Sequence, residues 1–249
     1  MFDDPAVSTS RRADLGAVVF TMGLPTLVTW LYFVLLARHP TAVQQTAYGI
    51  GKTIQFAFPL VWVLAIQRRR LPWKPPRTAG LLESIGFGLL VLLAMFLLYH
   101  AWLKPAGYLD ATSEAGRAIR DKLTGFGVNS FPKYFALGAF YSLFHSLLEE
   151  YYWRWFVFGQ LRRLVSVPTA IALSSLAFMA HHVILLSMYF GWFSPAAILF
   201  SLAVAVGGAV WAWIYHRSDS LYGPWLSHLL VDAAIFIVGY DLVRSLMVS

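Results

Sequence analysis

Eight ionisable side chains stand where an apolar sequence has least room for them. They are His145, Glu149, Glu150 and Arg154 in HSLLEEYYWRW, His181 and His182 in FMAHH, and His228 and Asp232 in SHLLVD. Carboxylates and imidazoles at such spacing can exchange protons with a bound substrate or water. Glu150 and Arg154 lie four apart on one helical face, which suits an internal ion pair. Glu149 points about 100° away from that face. It is left without that partner, as a general base or acid requires. His228 and Asp232 are again four apart and share a face, and His182 supplies a third helix. The bland readings differ in weight. Glu150 with Arg154 alone serves a structural salt bridge as well as a functional one. His145 or His181 alone reads as a packing or hydrogen-bonding residue, His100 as interfacial, and Lys52 as a side chain that snorkels. Glu149, His182, His228 and Asp232 taken together resist such a reading. Each ionisable residue in a span costs about 2.5–3.5 kcal/mol on insertion scales, so four on three spans need a purpose.

The elements that must position them are membrane helices. Of the 249 residues 59% are hydrophobic and 12% charged, too little charge to cover a soluble domain of this size. The stretch LGAVVFTMGLPTLVTWLYFVLLA (15–37) carries no charge and is long enough to cross a hydrocarbon core of about 30 Å. It is too long for a signal-peptide core and lacks a small-x-small cleavage pattern, so it reads as a retained helix. Seven spans are expected, near 15–37, 46–67, 79–103, 132–160, 167–190, 195–216 and 221–243, or eight if a short re-entrant segment is added. The fold class is all-α: one polytopic helical bundle filling 1–249, with the chemistry concentrated in 132–240. A short surface helix is expected between spans three and four, with Thr112 or Ser113 as its cap. Counted from the basic ends of their spans, Glu149, His182 and His228 lie at depths within roughly 10 Å of one another.

The chain has no cysteine, which excludes disulfides and thiolate metal sites. Its net charge of +7 does not point to nucleic acid, because the basic residues sit in short connections that orient helices and meet anionic headgroups. Basic residues in the N-terminal segment (Arg11 and Arg12) and in short connections (Arg68 to Arg70, Arg162 and Arg163) favour the N-terminus inside.

Glu149-Glu150-x-x-x-Arg154, Phe178-x-x-x-His182 and His228-x-x-x-Asp232 resemble, in order, the three motifs of the CPBP family of intramembrane proteases. That family contains the CAAX prenyl endopeptidases and the Abi-type proteins of bacteriocin immunity. The resemblance covers about residues 132–240. It implies a multi-pass protein, in a bacterial setting of the inner membrane, that cleaves a membrane-associated peptide or protein. It implies that Glu149 with His182 activates a water, and that His228 and Asp232 steady the oxyanion. Glu150 and Arg154 would hold the helix in register, and Phe178 would orient its own helix. The family pattern ends in Asn or Asp. An ionised Asp232 would repel an oxyanion, so Asp232 is expected to stay protonated, to work through His228 or to bind a metal. Glu149, His182, His228 and Asp232 make a donor set suited to zinc, while a metal-free glutamate mechanism suits them equally. The competing classes are a catalytically silent scaffold or immunity-binding protein, a proton-coupled transporter and, more weakly, a haem protein. The scaffold has no need of costly buried charges, and the transporter lacks repeated Gly/Pro-broken helices.

Overall fold

The computed structural model describes residues 10–70 and 78–246; the first nine residues, most of the proline-rich break RRRLPWKPPR (71–77) and the last three lie outside the described residues. Among the described residues every regular element is helical. Eight helices follow in chain order: α1 Arg11–Leu35, α2 Thr41–Ile66, α3 Leu81–Leu103, α4 Glu114–Gly125, α5 over 131–161, α6 Val167–Phe190, α7 Pro195–Ser218 and α8 Tyr222–Leu246. All but α4 and α5 are long and apolar enough to cross a membrane. These six match six of the expected spans to within a few residues. The remaining expected span, 132–160, is helical along its length. It is less apolar than the others because it carries Lys133, His145, Glu149, Glu150 and Arg154.

The helix α5 is not uniform. Ordinary α-helix over Phe131–Ala139, Ser146–Glu150 and Gly159–Leu161 alternates with wider, π-type stretches over Phe140–His145 and Tyr151–Phe158. Each π-type turn takes in one more residue than an α-turn, which re-aims the side chains that follow. The single α-helical turn between the two wide stretches ends on Glu149 and Glu150.

The chain divides into two compact units, the first comprising Met1–Arg77 with Tyr151–Trp213 and the second Thr78–Glu150 with Ile214–Ser249. In the first unit, α1 packs on α2 and on α6. Its approach to α2 depends on Gly51, where a Cβ would stand 2.7 Å from Val28 Cγ2. Backbone and side-chain polar groups in such a core must find partners within the protein. The buried Tyr152 hydroxyl donates to the carbonyl of Thr21 at 2.6 Å, and the Thr21 hydroxyl donates to Ala17 O at 2.9 Å.

In the second unit, α3 lies along α8. Gly88 permits this contact, since a Cβ there would meet Leu230 Cδ1 at 2.9 Å and the Ser227 carbonyl oxygen at 3.1 Å. Small residues at crossings are the usual means of close helix approach in membranes. The first half of α5 is pinned to α8 by two bonds to main-chain carbonyls. Tyr134 Oη donates to Phe236 O at 2.8 Å, and Trp225 Nε1 donates to Leu143 O at 3.0 Å. The expected surface helix is α4, and its cap is Ser113, whose Oγ accepts from Gly116 N at 3.1 Å. Ahead of it Asp110 Oδ1 accepts from Thr112 Oγ1 at 2.7 Å, Thr112 N at 2.6 Å and Ser113 N at 2.9 Å. The Thr112 hydroxyl and amide hold the Asp110 carboxyl below its usual range.

Candidate active site

Within the second unit, the turn Ser146–Glu150 of α5 and the face of α8 that carries His228 and Asp232 bring four of the expected residues together. His228 stands at the centre. Its Nδ1 lies 2.8 Å from Glu150 Oε1, a hydrogen bond in which the imidazole N–H donates to the carboxylate. That bond selects the tautomer and aims Nε2 at the other two carboxylates. Nε2 is 3.7 Å from Glu149 Oε2 and 3.7 Å from Asp232 Oδ1. Both separations exceed a direct hydrogen bond and leave Nε2 facing two acceptors across a short gap.

Burial grades across this cluster. Glu150 is fully buried, Glu149 is 3% exposed and His228 5% exposed. Asp232 and His145 are its more open members, with side chains 15% and 19% accessible. Three carboxylates around one imidazole cannot all carry charge in a medium of low polarity without strong mutual repulsion. Carboxyl groups and an imidazole at these distances can exchange protons, the property general acid–base catalysis uses.

Within the first unit, Arg154, Phe178 and His182 form a second group. The Arg154 guanidinium, buried within its helix bundle, lies 4.7 Å from the ring centre of Phe178 and 5.0 Å from that of Trp211. Phe178 in turn touches His182, with ring centres 4.8 Å apart. His182 Nδ1 lies 2.9 Å from the Phe178 carbonyl, which fixes Nδ1 as the donor. Trp153 stacks on His181, 5.8 Å between centres and 2° between planes.

Two neighbours of the expected residues were set aside or missed in the sequence. His145 reads there as a packing residue, yet its Nε2 lies 4.0 Å from Glu149 Oε1; its spacing of four from Glu149 was the available signal. Trp211 carried no sequence signal of its own. The neighbouring Gly208 lets α7 approach Phe178, where a Cβ would stand 3.2 Å from Phe178 Cδ1.

The expected zinc set needs donors that converge. Among the described residues no group of three or more His, Asp or Glu is arranged to hold a metal ion.

Fold and site define a class: a multi-pass helical membrane protein with a buried carboxylate–imidazole cluster. Residues 131–234 match the family model described as type II CAAX prenyl endopeptidase Rce1-like. This is the family whose three motifs the sequence resembles, and the match supports an intramembrane CAAX-type protease. No curated protein and no solved structure matches the chain.

Proposed function

We propose that this protein hydrolyses a peptide bond of a membrane-associated substrate, with Glu149 as general base and His228 as the electrophilic partner. The observation that carries the reading is the buried arrangement of Glu149, Glu150 and Asp232 around His228, two contacts at 3.7 Å and one at 2.8 Å. In this mechanism Glu149 accepts a proton from a water whose oxygen attacks the substrate carbonyl carbon. The ring of His228 is protonated on both nitrogens in this step, so Nε2–H donates a hydrogen bond to the oxygen of the tetrahedral intermediate while Nδ1–H stays on Glu150. Glu150 fixes the opposite side of the ring, and Asp232 acts on the same Nε2 edge, working through His228. The C–N bond then breaks, and the proton held by Glu149 passes to the leaving amine.

The test is cleavage of a quenched, membrane-compatible peptide library by the purified protein, wild type against Glu149→Gln. It includes prenylated and unprenylated C-terminal tails, and metal content is measured on the same samples. Cleavage abolished in a folded variant supports the assignment, whereas cleavage that survives the substitution removes Glu149 from it. The substrates are membrane peptides or bacteriocin-related precursors in a bacterial inner membrane, or CAAX tails where the host prenylates. The N-terminus is proposed to face the cytoplasm.

A proton-coupled transporter is a second reading. His145, Glu149, His228 and Asp232 form a chain with no gap above 4.0 Å, as a proton relay needs. Proton flux in reconstituted vesicles without peptide cleavage would favour it.

A further inference from the structure

We propose that the arginine-lined end of the first unit binds the headgroup of an anionic phospholipid, with Arg69 and Arg163 on its phosphate. Three helix ends carry the site: the start of α1, the end of α2 with its following turn, and the end of α5. Their described stretches 10–14, 67–70 and 160–163 hold seven arginines and one acid, Asp14. Asp14 is already engaged. Gln67, 1% exposed, donates from Nε2 to Asp14 Oδ1 at 2.9 Å and to Gln160 Oε1 at 3.3 Å. Gln160 Nε2 donates back to Gln67 Oε1 at 3.2 Å, and Arg163 Nη1 donates to Gln160 Oε1 at 3.1 Å.

Arg69 is brought to the same place by its backbone. Arg68 adopts a left-handed φ of 50°, and Arg69 N donates back to Val63 O at 3.0 Å. The half-buried Arg69 guanidinium is then held down from its usual pKa by burial and by the charge of Arg163, against the pull of Asp14. Orienting a membrane protein requires only loose basic side chains that reach the interface. A buried amide network that holds the Arg163 guanidinium within reach of the like charge of Arg69 goes beyond that need, and a phosphate relieves the repulsion with charge-assisted bonds.

A lipid fits better than a soluble anion because exposed apolar side chains lie within a few residues of these arginines along the chain. Leu15, Leu64 and Val165 are exposed at 52%, 48% and 38%, available to acyl chains once the headgroup is held. Basic pockets at the ends of membrane helices are known to take such headgroups. The inference does not depend on the proposed peptidase activity.

The test titrates the full-length protein in neutral detergent with phosphatidylglycerol, phosphatidylcholine or inorganic phosphate, reading bound lipid by native mass spectrometry and thermal unfolding. Phosphatidylglycerol should bind and raise the unfolding temperature. Binding should weaken roughly 30-fold in Arg69→Gln/Arg163→Gln and about fivefold in Arg163→Gln, whose exposed side chain spares the fold. Arg117→Gln/Arg120→Gln on α4 should bind as wild type. Equal binding by wild type and Arg163→Gln, or protection by inorganic phosphate as strong as by the lipid, would overturn the proposal.

Discussion

The two units bury charge in opposite ways. In the second, Glu149, Glu150 and Asp232 surround His228, so every charge faces a group that can give or take a proton. In the first, the charge of Arg154 lies against the faces of Phe178 and Trp211, which accept no proton at all. An arginine cannot be deprotonated in a protein. Enclosing it in aromatic faces gives a permanent, fixed charge, while gathering carboxylates on an imidazole gives a mobile one. Under the proposed function the second region does the chemistry and the first holds position, and each assignment is breakable by substitution.

The sharpest break is at Glu149. Glu149→Gln keeps the shape of the side chain but removes the proton acceptor, and peptide cleavage should fall about 10²–10⁴-fold. The thermal unfolding midpoint should change little, since His228 keeps its 2.8 Å bond to Glu150. A comparable loss of stability would mean that the second unit, too, is a structural device.

The counterpart in the first unit is Arg154→Lys, which keeps the charge and loses the plane that stacks on Phe178 and Trp211. Unfolding should become easier by about 2 kcal/mol, the scale of a desolvated cation–π contact. Activity per folded molecule should fall less than in Glu149→Gln. The measurement is thermal or denaturant unfolding in detergent set beside the same cleavage assay. An Arg154→Lys protein as stable as wild type would remove the aromatic enclosure as the reason for this arginine.

Much of this was legible beforehand, and the failures have physical causes. The span ends were readable because apolar runs must match the bilayer, so Val167–Phe190 emerged with both limits as expected. The pairing of His228 with Asp232 followed from a spacing of four on a regular helix, and it is seen at 3.7 Å. The contact of Glu150 with His228 was not readable, because it joins residues 78 positions apart. The aim of Glu149 was also beyond helical arithmetic: π-type stretches on either side of Ser146–Glu150 alter the turn that such arithmetic assumes. The aromatic faces of Phe178 and Trp211 over Arg154 are contacts that only tertiary packing reveals.

Asp232 separates a direct role at the oxyanion from one exerted through His228. Asp232→Asn leaves a side chain of the same size at 3.7 Å from Nε2 but removes the charge that steadies a protonated ring. Working through the ring, Asp232 should leave KM near its wild-type value, lower kcat about tenfold, and shift the pH profile of kcat. Full activity in Asp232→Asn would show that the amide serves as well, and the role would become direct hydrogen bonding to the oxyanion.

The smallest expected effect tests how far the proton-holding cluster extends. His145 lies 4.0 Å from Glu149 on the same helix, against the ring of Tyr141 at 4.9 Å, and is more accessible than Glu149. A proton leaving Glu149 for water meets this imidazole first on that side. His145→Gln keeps the bulk and removes the proton carrier, so kcat should drop about two- to fivefold, the scale of one weak, partly exposed ion pair. Added imidazole in the buffer should restore part of the loss, a response that a merely packing histidine would not give. Recovery by imidazole would extend the mobile-charge region by one turn of α5. A loss that imidazole leaves unchanged would return His145 to packing and confine the chemistry to Glu149 and the groups around His228.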